Sequence, residues 1–270
     1  MHTRQQKSNL VTELEKNKNI KLHKKYNKFR YPIVEACKSN DFEAVKWLHL
    51  NSKKKCTTDA MDLAAENGHL EIVKFLHFNR TEGCTTGAMF WAAEKGHLEI
   101  IKWLHYNRTE GCTTGAMDCA ALFGHLEVVK WLHNNRTEGC SSRAMHWAAV
   151  RGHLEVVKFL HNNRSEGCGK TAMKEAAKNG HLEIVKFLHN NLTEGCAEDA
   201  MDLAVKNGRV KIVLWLHDNH TDAMGLPANR GHLEVVKFLH NNRSEGCTED
   251  AMDWAAENGH LEIVKFLKNN

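Results

Sequence analysis

The chain predicts an all-α solenoid of about nine stacked helix–turn–helix repeats, and three observations carry that prediction. The stretch NRTEGCTTGAMFWAAEKGHLEIIKWLHY at 79–106 is followed at once by NRTEGCTTGAMDCAALFGHLEVVKWLHN at 107–134, nearly the same string again. Cys56, Cys84, Cys112, Cys140, Cys168 and Cys196 stand 28 residues apart, so each marks one position of successive units. Gly-His-Leu-Glu occurs seven times in phase, at Gly68, Gly96, Gly124, Gly152, Gly180, Gly231 and Gly259. Self-similarity at a fixed period is the mark of a repeat architecture, in which each unit touches its neighbours in line.

Taken in chain order, residues 1–30 hold nine Lys or Arg against two Asp or Glu, whereas the remainder holds 28 against 31. The net charge of +4 is therefore a basic arm, expected to be poorly ordered or partly helical, before a nearly neutral array over 31–270. The array divides into 31–55, 56–83, 84–111, 112–139, 140–167, 168–195, 196–220, 221–246 and 247–270. Residues 31–49 read as a more polar cap, and the last unit reads like an interior one, so its outer face is expected to be apolar.

Within a unit such as CTTDAMDLAAENGHLEIVKFLHFNRTEG, the run AMDLAAEN is rich in Ala, Met and Leu after an Asp or Thr suited to an N-cap, which predicts a short first helix. Gly68 and its equivalents supply a residue able to take positive φ at the helix end. The second helix, HLEIVKFLH, is apolar at Leu70, Ile72, Val73, Phe75 and Leu76 and leaves Glu71 and Lys74 as a polar strip. So apolar a helix must be covered by copies before and after it. The eighth unit is shortened before Ala223 and carries Pro227 in its first helix, which predicts a local change of stacking.

The unit DAMDLAAENGHLEIVKFL resembles the ankyrin repeat, whose T-P-L-H-x-A and Gly-His-Leu pattern it echoes over residues 31–270. Asp-Ala, Gly-Ala or Arg-Ala replaces the Thr-Pro pair, and the period is 28 against about 33 in the family. The resemblance therefore implies an ankyrin-like α-solenoid with short or absent β-hairpin fingers. More narrowly, WLHNNRTEGCT with GHLEVVKWLH resembles the short-period arrays of large DNA viruses of amoebae and of protists. It implies a non-catalytic scaffold that binds another protein on its concave face. Adaptor work in ubiquitin ligation is a further analogy, without a recognisable F-box here.

The chemistry-bearing residues are absorbed by the period. Equivalent helices of stacked units lie about 8–10 Å apart. That is beyond the reach of a disulfide, about 7 Å, and of tetrahedral zinc with ligands at about 2 Å. The cysteine position is expected to be a small apolar plug. The Gly-His histidines are expected to satisfy backbone groups between helices, and the Leu-His histidines, partly charged, to favour the helix dipole at the last turn. Asn79, Asn107, Asn135, Asn163 and Asn242 fit the glycosylation acceptor pattern but read as unmodified loop residues. No phosphate-cradling loop, metalloprotease helix or nucleophile elbow is present, so no catalytic residue, metal, cofactor or small-molecule substrate is expected. An N-terminus without a signal-peptide pattern and the lack of a run of ~18 apolar residues predict a cytoplasmic chain, in the host cytoplasm if viral, with the nucleus as the alternative and no membrane.

Positions fixed across units answer to stacking, and positions that vary are free for use. The pair before each glycine varies as Glu66-Asn67, Glu94-Lys95, Leu122-Phe123, Val150-Arg151, Lys178-Asn179, Lys206-Asn207, Asn229-Arg230 and Glu257-Asn258. The residue after Met varies as Asp62, Phe90, Asp118, His146, Lys174, Asp202, Gly225 and Asp253. Leu122, Phe123 and Val150 are apolar where other units place charge, beside Arg143, His146 and Arg151. With Phe90, Glu94 and Lys95, these are the expected partner-binding residues, an apolar centre with an Arg-bearing rim. The family resemblance puts the pair before glycine on the partner-facing surface. A second class, nucleic-acid or acidic-surface binding, would use Lys21, Lys24, Lys25, Lys28 and Arg30, with Arg4, Lys7, Lys16 and Lys18.

Overall fold

In the computed structural model the described residues are 2–169, 171–191, 197–219, 228–229, 231–242 and 249–269. The shortened start of the eighth unit with Ala223, Gly225 and Pro227, together with Arg230, Cys196 and Cys247, lies outside them, as do the side chains of Arg4, Lys7 and Asn242. The described residues are helical and contain no strand. Two compact units divide the chain at Ser141 and Ser142.

The first unit holds α1 (His2–Tyr26) and four helix hairpins: α2 (Pro32–Lys38) with α3 (Phe42–Asn51), α4 (Asp59–Glu66) with α5 (Leu70–Asn79), α6 (Thr86–Glu94) with α7 (Leu98–Asn107), and α8 (Thr114–Leu122) with α9 (Leu126–Asn135). The second holds α10 (Ser142–Arg151) with α11 (Leu154–Asn163), α12 (Thr171–Asn179) with α13 (Leu182–Asn191), and α14 (Ala197–Lys206) with α15 (Val210–Asp218). It also holds α16 (Leu233–Asn242) and the pair α17 (Glu249–Glu257) and α18 (Leu261–Asn269). First helices pack on first helices, α2 on α4 on α6 on α8 in one unit and α10 on α12 on α14 in the other. Second helices do likewise, α3 on α5 on α7 and α11 on α13 on α15.

Residue size explains the two layers. The first helices α4, α6, α8, α10 and α12 each bury three alanines, Ala60/Ala64/Ala65 and Ala88/Ala92/Ala93 for instance, with Met61 or Met89 beside them. Small side chains let these short helices approach closely while methionine fills what remains. The second helices α5, α7, α9, α11, α13 and α15 each bury three aliphatic residues, Ile72, Val73 and Leu76 in α5. Its polar strip is an ion pair at i, i+3, Lys74 to Glu71 at 2.8 Å, repeated at Lys102–Glu99 and Lys130–Glu127. Such exposed pairs add about 0.2–0.5 kcal/mol each, so the layers are held by burial and not by the strip.

The joint between the two helices of a unit also locks the next unit. After α6, His97 N–H donates to Ala92 O and Gly96 N–H to Ala93 O, a Schellman turn closed by Gly96 at φ 78°. A Cβ on Gly96 would stand 2.7 Å from Nδ1 of His125, because the next unit's imidazole lies flat over this glycine. The same ring donates from Nε2 to Glu94 O at 2.8 Å, satisfying a helix-end carbonyl that α6 leaves open. In the second unit His181 does this for Val150 O at 3.0 Å and His260 for Asn229 O at 2.8 Å. Where Gly-His-Leu-Glu is interrupted, Arg209 substitutes, its Nε donating to Lys178 O at 2.9 Å. The Gly-His histidines thus satisfy backbone groups between helices, as their spacing implies.

The Leu-His histidines lie in the last turns of the second helices, as expected, and also bridge to the next unit. Their rings stand edge-on against the next unit's aromatic residue, His49 on Phe75, His77 on Trp103 and His105 on Trp131. The Nδ1 atom meets a guanidinium, Arg80 on His49 at 3.4 Å, Arg108 on His77 at 3.3 Å and Arg136 on His105 at 3.2 Å, with the arginine as donor.

The N-terminal segment is one helix to Tyr26, without Gly or Pro in its length and with His23, Lys24 and Lys25 in its last turn, where the dipole favours cations. It is not a free arm at its C-terminal end. Tyr26 is 2 % exposed, and its hydroxyl donates to Asp41 Oδ2 at 2.8 Å. Burial works against the Asp41 carboxylate, yet Lys25, Tyr26 and the Ala44 N–H hold its pKa below the ordinary value. Residues 31–49 are therefore covered by α1 and do not form the outer cap. At the other end α18 buries Ile263 and leaves Leu261 exposed. Asn79, Asn107, Asn135, Asn163 and Asn191 are helix-terminal residues, not loop residues, and the side-chain amide of Asn79 donates to Phe75 O.

Gly96→Ala should lower the free energy of unfolding by on the order of 1–2 kcal/mol from left-handed backbone alone, with more from displacing His125; urea titration by circular dichroism measures it. Burial holds the His97 imidazole below the ordinary histidine range, so the unfolded chain takes up its proton more readily than the folded one. Its contribution to stability is full above about pH 6.5 and is lost as pH falls through the folded value. The drop in melting temperature between about pH 7.5 and about pH 5.5 should accordingly shrink in His97→Gln.

Candidate protein-docking surface

Many of the residues with binding potential are spent inside the array. In the connection after α5, the Arg80 guanidinium forks onto Glu82, Nε to Oε2 at 3.0 Å and Nη2 to Oε1 at 2.5 Å. Arg108–Glu110, Arg136–Glu138 and Arg164–Glu166 repeat the fork. The hydrogen bond from Arg80 holds the Glu82 carboxyl below the ordinary range, as Arg136 and Arg164 do for Glu138 and Glu166. Cys56, in the same unit as Arg80, is buried, as an apolar plug would be, and its thiol donates to Thr57 O at 3.6 Å. Burial pushes the Cys84 thiol up to about 12, so it stays protonated. Cys37, Cys56, Cys84, Cys112, Cys119, Cys140 and Cys168 are free thiols, and no three His, Cys, Asp or Glu side chains among the described residues converge on one point.

The variable residue after Met is a coupling position. Asp62 accepts from Thr85 N–H at 2.9 Å and from Thr85 Oγ1 at 2.7 Å, and Thr85 in turn caps α6 by accepting from Gly87 N–H. Asp118 does the same for Ser141, at 2.8 and 2.6 Å. Phe90 lies over the start of α8, where a Cβ on Gly115 would come 3.1 Å from its ring. His146 meets Thr171 Oγ1 at 3.4 Å, Lys174 pairs with Asp199, and Asp202 faces His232 at 3.1 Å. Phe90 and His146 thus turn part of their surface to the neighbouring unit, and each remains half-exposed.

The pair before glycine points outward at its second member. Asn67, Asn179, Asn207 and Asn258 return their amides to the helix, donating to the carbonyls of Leu63, Glu175, Leu203 and Trp254. Lys95 pairs with Glu94 at 2.8 Å on the surface. Phe123 makes no such return and leaves its ring 45 % exposed after Leu122, which is half-buried. In the first unit Phe123 and Leu122 end α8, and Phe90, Glu94 and Lys95 lie on or just after the adjacent α6. In the second unit Arg143, His146, Val150 and Arg151 lie along α10, with both arginines exposed and Val150 half-buried. The expected residues thus form one group in each unit.

Two features escaped the sequence reading. Trp91 and Trp147, each 40 % exposed, stand beside Phe90 and His146 with rings edge-on at 4.7 and 5.3 Å. Their position holds Leu63, Cys119, Glu175, Leu203 and Trp254 elsewhere, so the same ladder comparison could have found them. At the ends of the second helices Leu50, Phe78 and Tyr106 are 72 to 80 % exposed, where later units place Asn134, Asn162 and Asn190. No helix among the described residues is long and apolar enough to cross a membrane.

Family models described as ankyrin repeats (3 copies) match residues 61–144, 89–168, 116–202, 145–225 and 201–270, and one described as ankyrin repeats (many copies) matches 33–77. Comparison with individual characterised proteins gives no match.

Asp62→Ala should cost about 1–3 kcal/mol of stability, because it leaves the Thr85 N–H without its acceptor. Lys95→Ala should stay within about 0.5 kcal/mol. Parallel urea titrations of the two variants separate a coupling position from a surface one.

Proposed function

The chain belongs to the ankyrin-repeat family, and on that premise we propose that it is a non-catalytic scaffold that takes a partner protein on the outward face of its first helices. Phe123 is the observation that carries the reading. At a position where four other units use asparagine to cap the helix end, this unit gives up that hydrogen bond and exposes an aromatic ring. Such an exchange turns apolar surface to solvent, which fits a residue kept for contact.

The surrounding chemistry supports an apolar partner segment with acidic flanks. In the first unit Trp91 and Phe90 add aromatic area next to the Glu94–Lys95 pair. In the second, Trp147 and Val150 are edged by Arg143, His146 and Arg151. Aromatic anchors and arginine are the residue types that most often dominate protein interfaces. The proposed place of action is the cytoplasm, that of the host should the source be viral.

Affinity purification from cells of the source, with the captured proteins identified and their binding then measured with purified components, tests the reading. Leu122→Asp with Phe123→Asp should weaken the captured partner by about 2 kcal/mol or more, roughly thirtyfold, while the thermal melt stays in place. A partner bound equally well by the variant would remove this face from consideration.

A further inference from the structure

The first hairpin differs from every later one in a way that makes a binding groove. After α5, α7 and α9 the chain reads Arg-Thr-Glu-Gly before the cysteine, and the fork neutralises itself. After α3 it reads Ser52-Lys53-Lys54-Lys55 before Cys56, three cations and no carboxylate. The arginine that lies on His49 in the next unit has no counterpart here, because its position is Ser52. Helix α1 supplies the missing histidine instead, with His23 edge-on to Trp47 at 6.2 Å against 5.5 Å for His49 and Phe75. The space an arginine would fill is open.

Two hollows meet there, sharing His23 and Trp47. One, of about 570 Å³, is walled by Glu15, Lys16, Asn19, Ile20 and Lys24. The other, of about 250 Å³, is walled by Asn27, Asn51, Ser52, Lys53 and Lys54. Lys54 is tied down, its Nζ donating to the carbonyls of Asn27 and Phe29. Lys25 and Lys18 are engaged by Asp41 and Glu43. Lys16, Lys24 and Lys53 are exposed and have no ion-pair partner among the described residues. Lys28 and Arg30 lie over the rings of Phe29 and Tyr31 instead of turning into the groove.

We infer that this groove binds single-stranded nucleic acid, with phosphates on Lys16, Lys24 and Lys53 and a base against Trp47 and His23. Cationic walls answer the backbone of any polyanion, but an aromatic floor between them is what an unpaired base requires. Side-chain amides at Asn19 and Asn27 offer donors and acceptors to base edges without fixing one sequence, whereas that of Asn51 is spent on Trp47 O at 2.8 Å. An acidic protein surface would use the cations and leave the Trp47 floor idle. The inference does not depend on the first-helix face, which lies on other elements.

Fluorescence anisotropy of a labelled oligo(dT) of about 15 nucleotides, titrated with the full chain from about 50 to about 200 mM salt, tests it. Binding should weaken steeply with salt. Lys16→Gln, Lys24→Gln and Lys53→Gln together should cost at least tenfold in affinity and reduce the log–log salt slope by about 2, at about 0.7 per phosphate. Lys74→Gln, Lys102→Gln and Lys130→Gln, the same charge change on the second helices, should leave both unchanged. Lys53→Gln alone, in a loop, should cost about threefold and keeps the test readable if the triple variant melts early. Three results would overturn the proposal: no binding at low salt, equal losses in the two triple variants, or competition by poly-glutamate or anionic vesicles as strong as that by unlabelled oligonucleotide.

Discussion

The array rests on an imidazole seated on a glycine. At Gly68, Gly96, Gly152 and Gly231 the Gly-His step asks for positive φ, which only glycine accepts cheaply, and then uses the missing Cβ a second time, because the next unit's ring occupies that space. The ring's Nε2 closes a carbonyl that the preceding first helix cannot satisfy by itself. Helix termination, chain reversal and registration of the neighbouring unit are therefore one event. A unit without a successor keeps an open carbonyl and a bare glycine, which is why burial of aliphatic side chains alone would not fix the spacing of the helices.

Coupling runs through three further layers, each with its own chemistry. The Arg–Glu fork stiffens the connection that replaces a hairpin finger and spends a further donor on the histidine of the unit before. The residue after Met ties a first helix to the start of the next. The edge-on His–aromatic pair does so for the second helices. Because the carboxylates in the forks sit below their ordinary pKa, their share of stability is full above about pH 4.5 and is lost as pH falls through the folded values. At His97 the imidazole joint begins to weaken as pH falls below about 6.5. Acid therefore loosens that contact before it loosens the forks.

The repeat period, the two helices and the glycine were legible because they answer to periodicity and backbone geometry, which a sequence states directly. The Gly-His histidine was legible for the same reason, since a helix end must find an acceptor or donor nearby. The residue after Met was not. Aspartate, phenylalanine, histidine and lysine alternate there, and the rule that variation marks freedom fails because the contact is chemically degenerate. Asp62 takes the Thr85 N–H, Phe90 covers Gly115 in an identical Thr-Thr-Gly start, and Lys174 pairs with Asp199, so unlike side chains serve one joint. Trp91 and Trp147 were missed from the opposite side, hidden in a helix whose other face is core.

The same degeneracy argument separates the two kinds of surface. A position that varies while its partner on the next unit varies with it is structural, and Asp62 with Thr85 against Lys174 with Asp199 shows how far the chemistry can drift. A position that varies with no compensating change nearby is, on the reading proposed, open to a partner. Phe123 meets this description, its ring exposed where other units place asparagine. Ser52-Lys53-Lys54-Lys55 meets it as well, because loss of the fork is only partly made good by Lys54 reaching the carbonyls of Asn27 and Phe29, and the remaining cations stay in solvent. In an array that can be compared with itself, uncompensated departure from the period is thus the physical trace that a binding surface leaves.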